Sequence, residues 1–311
     1  MKTRKLGSLS VSVVGLGCNN FGGRLDQEST TRVVEAALDQ GINFFDTADV
    51  YGGTKSEEFV GRALGARRGS VLIATKFGIP LDAERTGGAR PAYLRRAVED
   101  SLRRLGTDYI DLYQLHRPDP EVPIAETLGA LDELVRAGKL REIGCSNFSA
   151  EQLRESQIVP LMGAARFVSL QNEYSLLQRE PERAVLAECE RHSVGFLPYF
   201  PLASGLLSGK YGPGQSPAAS ARLADPGTPL AARFRSEPNV ATAAALARFA
   251  ESRGHRLLEL AFSWLLAQPA VASVIAGATS AEQVEANVAA ARWRLSADEL
   301  GEVDRLAPPP G

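Results

Sequence analysis

The sequence predicts an α/β fold, a single (β/α)₈ barrel of the TIM type that spans residues 1–311. Apolar runs of strand length alternate eight times with segments of helical periodicity, and this alternation is typical of parallel βαβ units. A chain of 311 residues lies within the size range of one such barrel. Three successive runs also end in an ionisable side chain, at Asp46, Lys76 and His116. The carboxyl ends of barrel strands form the catalytic rim, so these groups are expected to meet there.

The elements follow in a regular order. Residues 5–11 alternate in hydropathy around Gly7-Ser8 and predict an N-terminal β-hairpin. The first pair is strand 12–16 with a helix capped by Ser29 or Thr30 that ends at Gly41. Seven further pairs follow, each with its strand named first and its helix second. They are 42–46 with 55–65, 71–75 with 91–105, 109–115 with 124–137, 140–145 with 149–159, 167–171 with 181–193, 195–199 with 239–253, and 271–276 with 281–291. Residues 296–306 predict one extra C-terminal helix, before a Pro-rich tail.

Composition argues against several classes of protein. The net charge is -2 and the charges are interspersed, so no basic surface for nucleic acid or membrane binding is expected. Three scattered cysteines are too few for a disulfide framework or a zinc site. No segment has the length and hydropathy of a membrane span, and the first nine residues do not resemble a signal peptide. A cytoplasmic location is therefore expected.

One connection is unusually long. About forty residues separate strand 195–199 from its helix, and residues 211–229 are rich in Gly, Pro, Ala and Ser. Structureless connections of this length are uncommon unless they are functional. A tolerated surface insertion is one interpretation. The position at the catalytic rim favours the other, a mobile loop that closes over a ligand.

Four side chains at the rim suggest a specific chemistry. Each charge alone is explained as the marker of a strand end, but Tyr51 follows Asp46 by five residues and joins Lys76 and His116. An ammonium beside a tyrosine favours the phenolate and lowers the pKa of the phenol. Asp46, Lys76 and Tyr51 are therefore predicted to form a relay that donates a proton to a carbonyl oxygen, while His116 orients that oxygen. Because no side chain here is an obvious nucleophile, a nicotinamide is the natural source of the hydride.

The usual nucleotide motifs are not met. Gly15-Leu16-Gly17 is followed by Asn20 where the dinucleotide fingerprint needs Gly, and residues 205–211 are one residue short of a phosphate loop. Residues 205–211 can still hold a pyrophosphate through backbone N–H groups and Lys210. Residues 275–279 lead from the last strand into a helix, a position where barrels often bind phosphate.

These motifs together resemble the aldo-keto reductase family, in particular its potassium-channel β-subunit-like branch. Residues 41–52 resemble the first family signature, Ala74-Thr75-Lys76 is similar to the lysine strand, and residues 108–116 are similar to the histidine strand. Residues 144–147 and 170–174 resemble the segments that contact the nicotinamide. The likeness extends over essentially the whole chain.

The resemblance implies an NADP(H)-dependent oxidoreductase that reduces aldehydes or ketones, sugars included, with Asp46, Tyr51, Lys76 and His116 as the catalytic residues. It implies that NADP(H) is preferred to NAD(H). The implied cofactor-binding residues are Cys18, Asn19, Asp46, Ser146, Asn147, Gln171, Tyr199, Leu202, Gly205, Leu207, Ser208, Lys210, Gly277, Thr279, Gln283 and Asn287. The implied substrate-binding residues are Phe21, Tyr51, Phe77, His116 and Phe200.

Some of these residues have structural alternatives. Ser146 and Asn147 could serve only as a cap for helix 149–159, Tyr199 could belong to the barrel core, and Cys18 could be packed and inert. Two positions depart from the family pattern. Phe200 stands where relatives commonly carry Ser, and residues 277–283 contain no Lys or Arg for a 2′-phosphate. Because this segment offers no cation, we expect NADPH to be preferred over NADH by a smaller margin than in relatives that have one there. Lys210 or Arg292 could add a cation from outside the segment.

Two other functions compete with the reductase. A regulatory or redox-sensor subunit that binds the cofactor with little turnover is one, and the complete set of four catalytic residues argues against it. A lyase or isomerase that uses Lys76 as a Schiff base is the other, and it leaves Tyr51 without a role. In each case the expected partner is a small molecule, a carbonyl compound for the reductase, rather than nucleic acid or membrane.

Overall fold

The structure is a computed structural model that describes residues 1–159, 163–211, 222–225 and 227–310. Eight parallel strands follow an N-terminal hairpin in this part of the chain. The strands are β1 (Thr3–Leu6), β2 (Leu9–Ser12), β3 (Val14–Gly17), β4 (Phe44–Asp46), β5 (Leu72–Phe77), β6 (Ile110–Leu115), β7 (Leu140–Ser146), β8 (Phe167–Glu173), β9 (Gly195–Tyr199) and β10 (Val274–Gly277). The helices are α1 (Gln27–Asp39), α2 (Lys55–Leu64), α3 (Pro91–Leu105), α4 (Ile124–Arg136), α5 (Ala150–Ile158), α6 (Val185–His192), α7 (Pro229–Phe234), α8 (Glu237–Ser252), α9 (Leu257–Ala267), α10 (Ala281–Ala290) and α11 (Ala297–Leu306).

The parallel strands form a nearly closed barrel. Each strand from β3 to β8 pairs with the next along the chain, and β10 pairs with β3. The remaining gap lies between β9 and the segment that leads into β10. Two backbone hydrogen bonds cross it, from Phe196 N to Ala270 O at 2.7 Å and from Ala272 N to Phe196 O at 2.9 Å. The predicted fold class is confirmed.

The hairpin β1–β2 covers the amino-terminal end of the barrel. Its turn needs Gly7, which has a φ of +58°, and a Cβ there would lie 2.6 Å from the Glu142 carboxylate. That carboxylate accepts a hydrogen bond from Ser8 N at 2.6 Å and ties the turn to β7. Leu6, Leu9 and Val11 of the hairpin are fully buried in a cluster with interior side chains of the strands. The hairpin therefore closes the barrel floor with apolar contacts.

The helical layer follows the predicted order, except that α1 begins early and that α7 and α9 were not predicted. Helix α1 begins earlier than expected, because the Asp26 side chain caps it by accepting from Ser29 N at 2.9 Å. Helix α9 was missed by the sequence prediction. Its sequence is apolar on nearly all sides and eight of its residues are buried, so it lacks the one-sided period that reveals a surface helix.

The long connection after β9 is only partly regular. It contains a short 3₁₀ segment, Ala203–Ser208, and helix α7 before α8 begins. Residues 212–221 and 226, where a mobile loop was predicted, lie outside the described residues. The predicted C-terminal helix is α11, which Ser296 caps through a capping box. Among the described helices, none has the length and hydropathy to cross a membrane.

Candidate active site

Inward-facing side chains recur at every second residue of the strands, and they change from apolar to polar toward the carboxyl end of the barrel. Phe44 and Ala74 belong to the apolar cluster above the hairpin, and Asp46 and Lys76 are the next inward-facing positions of the same strands. Successive side chains of a strand point to opposite faces. The apolar floor and the ionisable rim are therefore built by the same strands, and the carboxyl end receives the charges.

Asp46 and Lys76 form a buried ion pair at this end. Lys76 Nζ donates to Asp46 Oδ2 at 2.7 Å and to the Thr47 carbonyl at 2.8 Å. Gln171 Nε2 donates to the other carboxylate oxygen at 2.9 Å. Burial disfavours the charged form of Lys76, but Asp46 and Tyr51 outweigh it and raise the pKa of the ammonium. A buried charge pair persists only when such additional hydrogen bonds satisfy it, so Lys76 is held as a cation.

Tyr51 stands over this pair in the loop between β4 and α2. Lys76 Nζ lies 5.1 Å from the centroid of the Tyr51 ring, and the His116 ring meets the Tyr51 ring edge-on at 6.0 Å. Burial raises the pKa of the Tyr51 phenol, and this exceeds the opposing effect of Lys76. The expectation of a lowered pKa is therefore wrong in sign, because it considered the charge and left out desolvation. Tyr51 carries its proton at neutral pH.

His116 follows β6 at the rim and is neutral. Its backbone N–H extends the β5–β6 ladder by donating to Phe77 O at 2.8 Å. Burial lowers the pKa of the imidazole to about 3, and the charges of Lys76 and Arg117 act in the same direction. A neutral imidazole has one N–H to donate. It can therefore direct a hydrogen bond at an oxygen in the site, and it is a poor base.

Ser146 and Asn147 have partners inside the site and do not cap helix α5. Ser149 caps that helix in a capping box with Gln152. Ser146 Oγ donates to Gln171 O at 2.7 Å. Asn147, with a φ of +62°, donates to the His116 carbonyl at 2.9 Å and accepts from the Tyr199 hydroxyl at 2.8 Å. These contacts join the ends of β6 to β9 into one polar wall.

This wall borders a cavity of about 1470 Å³ that runs across the carboxyl end of the barrel. The volume exceeds that of a typical pocket for one small ligand. Many of the residues singled out from the sequence line it, and they come from distant parts of the chain. They are Cys18, Asn19, Asp46, Tyr51, His116, Ser146, Asn147, Gln171, Tyr199, Phe200, Leu202, Gly205, Ser208, Lys210, Gly277, Thr279, Gln283 and Asn287.

Four other predicted site residues do not line the cavity. Lys76 lies directly beneath it. Phe77 is the outward neighbour of Lys76 on β5, so its ring turns to the helical layer and stacks on Tyr113 at 4.8 Å. Phe21 and Leu207 are fully buried in the same outer core. Phe21, Phe77 and Leu207 thus lie behind the cavity wall. The tyrosine and phenylalanine residues that line the described part of the cavity are Tyr51, Tyr199, Phe200 and Tyr211.

Several cavity residues were missed by the sequence prediction. Four arginines line the wall: Arg24, Arg117, Arg222 and Arg256. Arg222 Nη2 donates to Asn20 Oδ1 at 2.6 Å, which brings the long connection onto the loop after β3. Arg292, proposed as an outside cation, does not line the cavity, whereas Lys210 does. Arg117 could have been found, since it directly follows His116, but Arg222 and Arg256 approach only through tertiary folding.

The start of α10 also borders this cavity. Ser280 caps this helix, and Gln283 accepts from Thr279 N at 2.9 Å and from its hydroxyl at 3.2 Å. The Ala203–Ser208 segment borders the same cavity with positive φ at Ala203, Ser204 and Gly205. A helix N-terminus and turns of this kind present backbone N–H groups that suit phosphate oxygens.

The comparisons with known proteins agree with this geometry. A model of the aldo/keto reductase family matches residues 13–308. The chain therefore belongs to the aldo/keto reductase family, a family of oxidoreductases that generally use NAD(P)H and act on small-molecule carbonyl substrates.

Individual relatives cover nearly the whole chain. Aldo-keto reductase YhdN of Bacillus subtilis is 35% identical over 308 residues, which are 96% of this chain and 90% of that protein. A probable voltage-gated potassium channel subunit beta of Arabidopsis thaliana is 33% identical over 303 residues, or 93% of this chain and 91% of that protein. The solved holo form of aldo-keto reductase AKR11C1 from Bacillus halodurans has a TM-score of 0.81 at 36% identity and covers 99% of this chain and 96% of its own.

Proposed function

We propose that this protein is an NADP(H)-dependent reductase that converts aldehydes or ketones to alcohols, with Tyr51 as the proton donor. One observation carries the proposal. Tyr51 and neutral His116 line the same cavity as a helix N-terminus and several cations. One continuous cavity can thus bind both a carbonyl group and the phosphates of a dinucleotide.

The chain's own residues account for the proton chemistry. The phenol of Tyr51 donates its proton to the carbonyl oxygen as that oxygen becomes an alcohol oxygen. Lys76, fixed by Asp46, stabilises the phenolate that Tyr51 becomes, because an ammonium next to a phenolate offsets its desolvation. His116 donates a hydrogen bond to the same oxygen and sets the orientation of the carbonyl. When bound, the nicotinamide supplies the hydride for the carbonyl carbon.

The lining of the cavity fits a nicotinamide dinucleotide. Ser146, Asn147 and Gln171 present polar groups for the carboxamide, and the Tyr199 ring lies on the same wall for stacking. Residues 202–210 and the start of α10 face the phosphates.

Phosphate recognition draws on cations outside residues 277–283. Lys210, Arg222 and Arg256 line this part of the cavity, and guanidinium groups bind phosphate in two-pronged geometry. Burial lowers the pKa of the Arg222 guanidinium, and the charge of Arg24 adds to that effect. An anion at this position relieves both effects. This arrangement supports a preference for NADPH over NADH.

The Schiff-base alternative is disfavoured by the state of Lys76. Its amine is fully buried, does not line the cavity and is held as an ammonium by Asp46. A protonated amine is not a nucleophile. The sensor alternative draws on the similarity to a potassium channel subunit. Steady turnover of a carbonyl compound distinguishes the reductase from the sensor.

The test is a panel of aldehydes and ketones with NADPH and with NADH, followed by absorbance of the reduced cofactor. We expect steady oxidation of NADPH that depends on the carbonyl compound, and slower turnover with NADH at equal concentration. Binding of NADPH, measured by fluorescence, without turnover of any compound in the panel would instead identify the sensor.

A further inference from the structure

The charge on the cavity wall is strongly one-sided. Among the described residues that line it, Asp46 is the sole carboxylate, and Lys76 already neutralises it. Five cations line the same cavity: Arg24, Arg117, Lys210, Arg222 and Arg256. An excess of positive charge in a cleft attracts anions and raises their local concentration.

The cations divide into two groups by the segment that carries them. Lys210 and Arg222 lie on the connection after β9, Arg256 lies at the start of α9, and Arg24 lies on the loop after β3, where its charge acts on Arg222. Phosphates of the proposed cofactor account for them. Arg117 belongs to a different segment, since it is the residue after His116 at the end of β6. Binding of the cofactor phosphates therefore does not explain the positive charge of Arg117, which lies next to His116.

The backbone around Arg117 is fixed. His116 N donates to Phe77 O at 2.8 Å, and the His116 carbonyl accepts from Asn147 Nδ2 at 2.9 Å. The side chain of Arg117 is therefore attached to a backbone that is anchored directly beside His116.

Within the described residues, Arg117 lacks a carboxylate partner, unlike Arg90 and Arg233 on the same rim. Arg90 pairs with Glu121 at 2.9 Å, and Arg233 pairs with Glu173. No carboxylate of the described residues lies within 4.0 Å of the Arg117 guanidinium, whose side chain is exposed to the cavity. An arginine of this kind has its full set of N–H donors open to a ligand.

We propose that Arg117 binds an oxyanion on the substrate, so that the preferred substrates are aldehydes or ketones that carry a carboxylate or a phosphate. This inference rests on the proposed function and adds a substrate class to it. Tyr51 and His116 act on the carbonyl group, and Arg117 holds the opposite, charged end of the molecule. Ile79 and Phe200 add apolar surface to the same cavity, which suits the carbon skeleton that joins the two groups.

The test compares substrates that differ only in charge. The pairs are 4-formylbenzoate with its methyl ester and 5-oxopentanoate with its methyl ester, and glyceraldehyde 3-phosphate with glyceraldehyde tests the phosphate. For each pair the ratio of kcat/KM, charged over neutral, is measured in the wild type and in Arg117→Gln. We expect the substitution to lower this ratio about 10–100-fold, which corresponds to the loss of a hydrogen-bonded charge. The pair with the larger fall identifies carboxylate or phosphate.

Two further variants separate direct contact from general attraction. Arg117→Lys keeps the charge without the planar fork and should lose less of the ratio than Arg117→Gln. Arg90→Gln removes an equal charge from the same rim and should leave the ratio within about two-fold, because exposed charges are screened over such distances. Equal effects of Arg117→Gln and Arg90→Gln, or no effect of either, would overturn the assignment.

Binding without turnover provides an independent measurement. The protein is titrated calorimetrically with 4-formylbenzoate in the absence of reduced cofactor. Binding at least about 10-fold weaker in Arg117→Gln than in the wild type supports the anion site, even if no carbonyl compound is reduced and the proposed function fails. Equal binding by the two proteins contradicts the anion site, whatever the outcome of the turnover assay.

Discussion

The two ends of the barrel interior are built by the same strands and differ in almost every property. At the amino end, Leu6, Leu9 and Val11 of the hairpin pack against apolar strand residues with no polar partner to satisfy. At the carboxyl end, Asp46 and Lys76 are buried at a desolvation cost. It is offset by the hydrogen bond that Lys76 donates to the Thr47 carbonyl and by the one that Asp46 accepts from Gln171. The comparison shows that one end stabilises the fold and the other holds groups whose protonation states the chemistry needs.

The largest effect is expected at the carboxyl end. Tyr51→Phe removes the proton donor and leaves the ring and its neighbours in place, so kcat/KM for carbonyl reduction should fall about 10²–10⁴-fold. Cofactor binding, measured by fluorescence, should stay within a few-fold. Tyr109→Phe is the matched control, because Tyr109 lies at the opposite end of β6 with Arg68 over its ring at 4.2 Å. Similar activity in the two variants would remove Tyr51 from the mechanism.

A second effect is expected at the amino end. Leu9 is 1% exposed in the hairpin cluster, and Leu9→Ala leaves a cavity there. The free energy of unfolding should fall by about 2–5 kcal/mol. Ile158→Ala is the control, since Ile158 is 70% exposed and its truncation should cost little. Chemical denaturation of both variants checks this, and a stable Leu9→Ala protein would show that the hairpin is dispensable.

A third effect, which depends on pH, concerns a buried carboxyl group near Tyr51 in the sequence. Asp49 is 1% exposed and neither of its oxygens has a hydrogen-bond partner among the described residues. Burial raises the pKa of Asp49 to about 7, and nearby Glu57 adds to the rise. Between about pH 4 and pH 7 the folded state therefore binds the proton more tightly than the unfolded state. The stability contributed by this group is fully present below about pH 4 and is lost as the pH rises through 7.

Asp49→Asn should abolish this loss. Relative to the wild type, the variant should gain up to about 1.4 kcal/mol per pH unit across that window, with no further gain above it. Denaturation at a series of pH values measures the difference, and Asp39→Asn at an exposed position is the control. A difference between wild type and Asp49→Asn that stays constant from pH 4 to 8 would mean that Asp49 titrates normally.

The contrast between the two ends also explains what the sequence could predict. Strand alternation and the charges that end three strands lie within short stretches of chain, so the barrel and the grouping of Asp46, Tyr51, Lys76 and His116 were within reach. The same alternation, applied strictly, assigns Phe77 to the outer layer, and its assignment to the substrate wall came from the resemblance alone.

The remaining errors come from tertiary context. Helix α9 is buried on most sides and shows no one-sided period. The approach of Arg222 to Asn20 joins residues about 200 positions apart, which no local pattern reveals. The sign of the pKa shift at Tyr51 depends on how completely the phenol is buried, and that depends on the whole surrounding structure.

The most direct test of the division between the two ends measures both the free energy of unfolding and kcat/KM in Leu9→Ala and in Tyr51→Phe. The assay temperature is chosen so that both proteins are folded. The account predicts that Leu9→Ala loses stability and keeps kcat/KM within a few-fold, whereas Tyr51→Phe keeps its stability and loses kcat/KM. If each variant lost both quantities to a similar extent, the two ends would be one coupled unit and the division of roles would be wrong.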